Sequence, residues 1–421
     1  MQNMPGMRHE AAPAPQEDHA PADAGHDMAG MDMPMPESMV GILGSYPMTR
    51  DASGTSWQPD TASHMGIHWM TGEWSMMAHL RLAGVYDTQS GPRGDEKLFL
   101  EGMGMLAARR DFAGGDTLNL RAMLSPDPFM GKSGYPLLLA SGETANGTTP
   151  LIDRQHPHDL FMELSASFTH YLSAADSVFA YVGYPGEPAL GPPPFMHRAS
   201  GMDIPQAPIT HHWLDSTHIV FGVITAGFVH RDWKLEVSQF TGREPDPFRF
   251  GFDPIRLDST SARVSWNPNE HWSLQASWGS LHSPEQLAPR VNEDRVTASA
   301  SYVTQLGEGG SWATTLAWGL KQERPGPDLN GVLLESEYKP SDPWTLFARA
   351  EWEENAELSP LDGVENVGTL ALGAIRDVHV ADHWKAGVGA LYAFDVVPSA
   401  LKSVYGSDPH GAMVFVRLIA E

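Results

Sequence analysis

From about residue 74 onward, apolar residues repeatedly alternate with small or polar ones, a period of two that is typical of β-strands with two different faces. This pattern is found in segments 272–278, 312–318, 344–352 and 384–392. In segment 344–352, one face carries Trp344, Leu346, Ala348, Ala350 and Trp352, and the other carries Thr345, Phe347, Arg349 and Glu351. The two tryptophans lie about 26 Å apart at a rise of about 3.3 Å per residue. Aromatic residues at both ends of an apolar face are typical of a strand that spans a membrane.

The links between these strands fall into two length classes that alternate along the chain. Short links are predicted at 111–115, 173–176, 231–232, 267–271, 307–310, 340–343 and 380–383. Longer links are predicted at 88–95, 125–160, 184–217, 242–260, 281–294, 322–329, 355–367 and 396–410. A soluble propeller or sandwich would not sort its turns in this way, whereas bacterial outer-membrane barrels combine short periplasmic turns, long outer loops and an even strand number. We therefore predict an all-β fold, a closed transmembrane antiparallel β-barrel of about 16 strands, in residues 74–421.

The composition excludes several classes of protein. Acidic residues outnumber basic ones by 52 to 27, a formal charge of −25, which is unsuited to contacts with the phosphates of a nucleic acid. The absence of cysteine excludes disulfide scaffolds, thiolate catalysis and cysteine-based zinc sites. Without a run of 18 apolar residues, the sequence predicts no transmembrane helix.

Residues 1–43 have a different character from the rest of the chain. They are rich in Pro, Ala, Gly, Asp and Met and offer little branched apolar packing, so we predict a disordered periplasmic tail. Thioether sulfur is a soft ligand that favours Cu(I), and imidazole accepts both Cu(I) and Cu(II). Eight of the 21 methionines lie in the first 40 residues, and the candidate copper ligands of the tail are His26, Met28, Met31, Met33 and Met35. The alternative is compositional drift in a solvated segment.

Residues 44–73 are interpreted as a linker between the tail and the barrel. A second group of methionines and histidines begins there and consists of His64, Met65, His68, Met70, Met76, Met77 and His79. From this group, His64 and His68 are further candidate metal ligands. The alternative interpretation is that Met76 and Met77 are ordinary strand residues.

Two predicted long loops concentrate the remaining histidines. Eight of the 19 lie between positions 156 and 230: six are in the motifs DRQHPHD, MHR and HHWLDSTH, and His170 and His230 are on the flanking predicted strands. A His-X-His pair in an extended segment points both imidazoles the same way, and a nearby carboxylate can fix the tautomer of a metal-binding ring. If both loops fold into the barrel, their histidines meet, and the candidate ligands are His156, His158, Asp159, Met196, His197, His211, His212 and His218. Alternatively, these residues only anchor the loops and shape the pore.

Motifs of known enzymes are weak in this chain. Asp215, Ser216 and His218 are the residue types of a hydrolase triad, but no G-x-S-x-G motif surrounds the serine. Phosphate-binding glycine loops, H-E-x-x-H and EF-hand patterns do not occur. The sequence thus predicts a protein that is not an enzyme, with an outer-membrane barrel hydrolase as an alternative.

The tail motif HDMAGMDMPMP, followed by a predicted barrel, resembles the copper-resistance protein B group of bacterial outer-membrane proteins. The central motifs DRQHPHD, GEPALGPPPFMHR, HHWLDSTHI and GREPD are instead similar to an uncharacterised barrel family that is associated with metal-resistance loci. The chain is longer than a typical copper barrel and has more predicted strands. The resemblance implies capture of periplasmic copper by the tail, with binding or passage at the barrel.

Together, these features predict an outer-membrane barrel that binds copper, with Cu(I) favoured over Cu(II), and assists its resistance, efflux or transport. The expected partners are outer-membrane lipid, metal ions and a periplasmic copper protein or efflux partner. Sixteen-stranded barrels are often trimeric, so a homo-oligomer is compatible with the prediction. A general or substrate-selective porin, with the tail as a copper sponge, is the main alternative function.

Overall fold

The computed structural model describes residues 40–63, 66–307, 309–358 and 363–421. The strands are β1 (Ile67–Thr71), β2 (Trp74–Gln89), β3 (Glu96–Asp111), β4 (Thr117–Leu124), β5 (Tyr135–Thr144), β6 (Pro150–Gln155), β7 (Phe161–Tyr171), β8 (Asp176–Gly183), β9 (Val223–His230), β10 (Trp233–Phe240), β11 (Ser259–Asn269), β12 (Trp272–Leu281), β13 (Asn292–Gln305), β14 (Ser311–Arg324), β15 (Asp328–Ser341), β16 (Trp344–Asn355), β17 (Glu365–Ala381), β18 (Trp384–Val396) and β19 (His410–Ala420). Helical structure is confined to α1 (His211–Leu214), α2 (Lys402–Tyr405) and 3-10 turns at Met48–Arg50, Asp127–Met130, Ser216–His218 and Ser399–Leu401 in the described residues. Neither α1 nor α2 is long or apolar enough to cross a membrane.

Sixteen antiparallel strands close into a ring. Strands β2–β4 and β7–β19 each pair with two neighbours, and β19 pairs with β2 from Gly411↔Gln89 to Ala420↔Leu80. Strand β4 pairs directly with β7, so β5 and β6 leave the wall and form a separate two-stranded hairpin. Strand β1 pairs with the first residues of β2, beyond the end of β19. The predicted 16-stranded barrel is confirmed.

The links of the barrel alternate as predicted. The seven short turns join strands at one end, and the eight other links join them at the opposite end. The predicted links 281–294 and 355–367 are each four residues shorter in the structure, at 282–291 and 356–364, and one link departs more strongly in proportion to its length. The predicted link 322–329 is reduced to residues 325–327, because β14 and β15 remain paired as far as Gln322↔Asp328. We call the two ends of the barrel the short-turn end and the long-loop end.

Strand β16 shows how the sequence pattern maps onto the wall. Trp344 and Trp352 point outward and remain 43% and 39% exposed, whereas Arg349 and Glu351 are buried on the lumen side. The predicted division of this strand into two faces is confirmed. The outer face of the neighbouring strands is likewise apolar, and the chain therefore presents a band of exposed Leu, Val and Trp side chains around the wall.

An arginine in this band should destabilise the folded barrel in lipid. Leu372 lies opposite Ala348, midway between Trp344 and Trp352, and its side chain is exposed. We expect Leu372→Arg to lower the free energy of unfolding in bilayers by about 2–4 kcal/mol, because the charge must enter hydrocarbon. The matched control is Val380→Arg, near the short-turn end of the same strand, with an expected cost of about 0–1 kcal/mol. Equal costs for the two variants, measured by urea unfolding in vesicles, would contradict the lipid-facing assignment.

The lumen is filled by three segments of the chain. One of them is residues 40–63, which belong largely to the predicted linker and pack inside the short-turn end. Their apolar side chains Leu43, Tyr46 and Trp57 form a buried cluster with Phe179 and Val229 of the wall. The other two are the links between β4 and β7 and between β8 and β9, whose residues are mostly buried. The core of the molecule is thus inside the barrel.

Candidate metal site in the lumen

The two long loops that enter the lumen are tied to each other and to the wall. Strand β5 is buried along its whole length, and the hydroxyl of Tyr135 accepts a hydrogen bond of 2.9 Å from the backbone N–H of Ala207. Arg198 is 1% exposed and donates to Glu335 of the wall at 2.6 Å and to Asp215 of its own loop at 2.7 Å. These contacts hold the histidine-bearing segments of both loops in fixed positions.

Five of the predicted ligands form one buried cluster, which we call the imidazole cluster: His156, His158, His211, His212 and His218. Their neighbouring ring centroids are separated by 5.2 to 6.5 Å. Every member is at most 9% exposed. The expectation that the histidines of the two loops lie together is therefore met by the geometry of these residues.

Hydrogen bonds orient three of these rings. The Nδ1 atom of His158 lies 2.8 Å from a carboxylate oxygen of Asp127, and Nδ1 of His211 lies 2.6 Å from a carboxylate oxygen of Asp215. Nδ1 of His218 lies 2.7 Å from the backbone carbonyl of Asp215. Because each partner can only accept, each Nδ1 must carry the proton and donate it. The lone pair is then on Nε2, which in all three rings is buried without a hydrogen-bond partner among the described residues.

Burial keeps three of these imidazoles neutral at neutral pH. Burial lowers the pKa of His211 to about 4, although its bond to Asp215 acts in the opposite direction. Burial also lowers the pKa of His156 and of His218 well below the usual value for histidine. A metal ion would therefore find unprotonated nitrogen donors without having to displace a proton.

Asp159, another predicted metal ligand, forms an ion pair with an arginine instead of orienting an imidazole. Its carboxylate lies 3.2 Å from the guanidinium of Arg249, which also donates to Glu143. Burial raises the pKa of Asp159 to about 6, although Arg249 lowers it. In this structure Asp159 is part of an ion-pair network that fixes the loop after β10 over the cluster.

A chamber lined by methionine lies toward the short-turn end. We call it the thioether chamber; it has a volume of about 150 Å³, and its sulfur and imidazole lining residues are Met48, His68, Met77, His79, Met103, Met105, Met196, His197 and Met202. A second cavity of about 80 Å³ is lined by both Met196 and the rings of His156 and His158. Met196 therefore lies between the thioether chamber and the imidazole cluster.

The predicted ligands are thus divided between two places. His68, Met196 and His197 line the thioether chamber, while the five histidines of the imidazole cluster lie beyond it. The remaining predicted ligands His26, Met28, Met31, Met33, Met35 and His64 lie outside the described residues.

Sequence reasoning missed Met103, Met105 and Asp127 as members of the site. The two methionines alternate on β3, so a shared face could have been inferred, but nothing in the pattern shows that this face meets Met196. Asp127 lies in a 3-10 turn, and only the folded loop brings its carboxylate to His158.

The triad residue types are not arranged as a hydrolase site. The Ser216 hydroxyl accepts a hydrogen bond of 3.0 Å from Arg295. His218 uses Nδ1 for the backbone carbonyl of Asp215, whose side chain is bound to His211 and Arg198. This geometry gives the serine a cationic neighbour in place of a general base.

The chain is similar in fold to solved outer-membrane proteins, at low sequence identity. OmpF of Salmonella typhi, solved in complex with daunomycin, matches 84% of this chain and 100% of its own, with 10% identity and a TM-score of 0.54. The outer-membrane channel DcaP of Acinetobacter baumannii matches 85% of this chain and 100% of its own, with 9% identity and a TM-score of 0.48. An anion-selective porin from Comamonas acidovorans matches 82% and 100%, with 12% identity and a TM-score of 0.48. No protein-family model matches the chain, and no curated protein is significantly similar in sequence.

The likeness to OmpF, together with the closed ring of strands, shows the class of fold: the chain forms a 16-stranded β-barrel of the outer-membrane type. At this level of identity the likeness extends to the fold alone.

Proposed function

We propose that the protein is a bacterial outer-membrane barrel that binds copper ions in its lumen and assists copper resistance, efflux or transport. The observation that carries this proposal is the imidazole cluster. Its Nε2 atoms are buried without hydrogen-bond partners among the described residues. In His158, His211 and His218, a hydrogen bond from Nδ1 also fixes the orientation of the ring. Such hydrogen bonds are typical of histidines that hold a metal ion. No three of these rings bring one nitrogen each within 4.8 Å of one another, so the proposed ion would be held by a pair of rings or after a small shift of the loops.

The donor types favour copper. Thioether sulfur selects Cu(I), while imidazole suits Cu(I), Cu(II) and zinc, so a lumen with both kinds of donor is best matched to copper. Met196 supports this choice, because it contributes to the thioether chamber and to the cavity beside His156 and His158. An ion that enters from the short-turn end would meet sulfur first and imidazole next.

The tail would increase the supply of ions to the lumen. Its predicted ligands resemble those of the copper-resistance protein B group, and they precede residues 40–63, which pack inside the short-turn end. Short turns face the periplasm in outer-membrane barrels, so we propose that the tail captures periplasmic copper there. Movement through the barrel would follow a concentration gradient or depend on a periplasmic partner protein.

A porin is the second candidate, since the fold is similar to that of OmpF. Two long loops and residues 40–63 are buried inside the lumen and occupy the space that an open porin would leave for water. This filling disfavours the porin alternative. A hydrolase is disfavoured by the contact between Ser216 and Arg295, and we propose that the protein is not an enzyme.

Copper affinity should depend on the carboxylate that orients His158. We expect Asp127→Asn to weaken Cu(I) binding by about 10- to 100-fold, because the amide no longer fixes the ring as the carboxylate does. The measurement is competition with a chromophoric Cu(I) chelator, using full-length protein in detergent.

The chain offers a matched control for this variant. Asp116 lies 2.7 Å from Nδ1 of His170, the same kind of pair, but this pair is solvent-exposed near a short turn and lies outside the cluster. Asp116→Asn should leave Cu(I) affinity unchanged. Wild-type affinity in Asp127→Asn, or an equal loss in both variants, would contradict the proposed copper site.

A further inference from the structure

A second set of metal-ligand side chains shares His212 with the imidazole cluster and extends from it toward the long-loop end. His212 of α1, Glu244 in the link after β10 and Glu285 in the link after β12 come together from three different loops. One ligand atom from each residue lies within 4.8 Å of the other two. Among the described residues, no other group of three His, Asp or Glu side chains meets this condition.

The ligand atoms of this group have unused binding capacity. His212 is 5% exposed, and its two ring nitrogens have no hydrogen-bond partner of good geometry among the described residues. Its Nδ1 lies 3.1 Å from one carboxylate oxygen of Glu244, whose other oxygen is also buried without a partner. Buried polar atoms are normally paired, so this group leaves more unmade interactions than a purely structural contact requires.

The backbone of β5 makes room for the His212 ring. A Cβ atom at Gly142 would lie 2.6 Å from Cε1 and 2.7 Å from Nε2 of that ring, closer than side-chain carbons approach one another. Gly142 also has a φ of +108°, which glycine adopts without strain. The ring is therefore held against the hairpin with its edge beside the two carboxylates.

Negative charge exceeds positive charge around the group. Lys321 lies between three carboxylates, at 3.9 Å from Glu285, 3.8 Å from Glu293 and 3.6 Å from Glu323. Its single charge cannot balance these groups, even though Glu293 is also paired with Arg295 at 2.6 Å. Added cations are attracted to such a buried excess of carboxylate.

We propose that His212, Glu244 and Glu285 bind a divalent cation of borderline character, of the zinc class. One imidazole and two carboxylates form a three-ligand set that leaves a coordination position for water, as zinc accepts in proteins. The set contains no sulfur, so it does not favour Cu(I). This site shares His212 with the imidazole cluster, but it uses neither the thioether chamber nor the oriented Nε2 atoms of His158, His211 and His218.

The test is a titration of the full-length protein in detergent with Zn²⁺ alone. Glu285→Gln should remove one zinc equivalent or weaken it at least about tenfold relative to the wild type. Glu285 is partly exposed, so the variant should retain the barrel, which heat-modifiable electrophoretic mobility would verify. His212→Gln is a second variant that should lose the same equivalent.

Glu323→Gln is the matched control. Glu323 contacts the same lysine, and its side chain is 25% exposed compared with 22% for Glu285, but it is not one of the three ligands. Zinc binding should be unchanged in this control. Unchanged binding in Glu285→Gln would overturn the proposal, and so would an equal loss in Glu323→Gln, because it would indicate a general effect of charge.

The same preparations distinguish this site from the copper proposal. If Asp127→Asn leaves Cu(I) binding unchanged while Glu285→Gln loses its zinc equivalent, the copper proposal fails and the zinc-class site stands. If zinc binding is insensitive to Glu285 while Cu(I) binding depends on Asp127, the zinc-class site fails alone.

Discussion

Replacing Arg198 with methionine is expected to lower the free energy of unfolding by about 3–5 kcal/mol. Arg198 is almost completely buried and bridges Glu335 on β15 to Asp215 in the loop that carries α1. It also donates to the backbone carbonyl of Pro193 at 2.9 Å. Methionine fills similar space but leaves the buried carboxylate of Asp215 without an arginine partner and Glu335 with Arg349 alone. The cost of an unpaired buried charge exceeds the value of the lost contacts.

Urea unfolding of the detergent-solubilised barrel, followed by tryptophan fluorescence, measures this effect. The control is Arg324→Met, which removes an ion pair with Asp328 of 2.8 Å whose two side chains are about half exposed. Exposed pairs contribute about 0–1 kcal/mol, so the control should unfold almost like the wild type. If Arg198→Met were no less stable than the control, the loop would not depend on this anchor.

The arginine also connects stability to the site. Asp215 receives Arg198 on one carboxylate oxygen and His211 on the other, and its backbone carbonyl accepts the bond from His218. Two of the oriented imidazoles therefore depend on a residue whose position is fixed by a buried cation. Loss of Arg198 should disorder the ligands as well as weaken the fold.

The barrel wall could be predicted from the sequence because its pattern is local. In β16, alternate residues face either the outside of the barrel or the lumen, and the residue type at each position indicates which face it is on. Trp344 and Trp352 lie outside, and Arg349 lies inside. Link lengths are equally local and determine the strand number. The predicted link 322–329 was too long because β14 and β15 stay paired as far as Gln322↔Asp328, and only residues 325–327 form the turn.

The filling of the lumen could not be predicted in the same way. Leu43 at the end of the predicted tail and Trp57 in the predicted linker look like isolated apolar residues. Their partners Phe179 and Val229 are more than a hundred residues away in the chain. Packing at such distances leaves no periodic signal. The interpretation of residues 1–43 as a tail and 44–73 as a linker therefore gave no indication that residues 40–63 lie inside the barrel.

The candidate site was predictable in part. The pairs His156 with His158 and His211 with His212 are visible as motifs, and their meeting follows if both loops turn inward. The carboxylates of the two proposed metal sites, such as Asp127 in the first and Glu285 in the second, are single residues without a motif. Their roles depend on contacts that only the folded chain makes. A carboxylate oxygen of Asp127 lies 2.8 Å from Nδ1 of His158, and Glu285 lies beside His212 and Glu244.

The location of the copper site, in the lumen and not only in the tail, can be tested directly. The measurement is the copper content per chain of the purified barrel without residues 1–39, after Cu(I) loading and removal of loosely bound metal. We predict that this shortened protein retains about one copper ion per chain. The same shortened protein with His158→Gln, His211→Gln and His218→Gln should bind copper about a hundredfold more weakly or lose it, because the three oriented donors are gone. If all copper disappears with the tail, or if the triple variant retains copper like its parent, the lumen does not bind the metal.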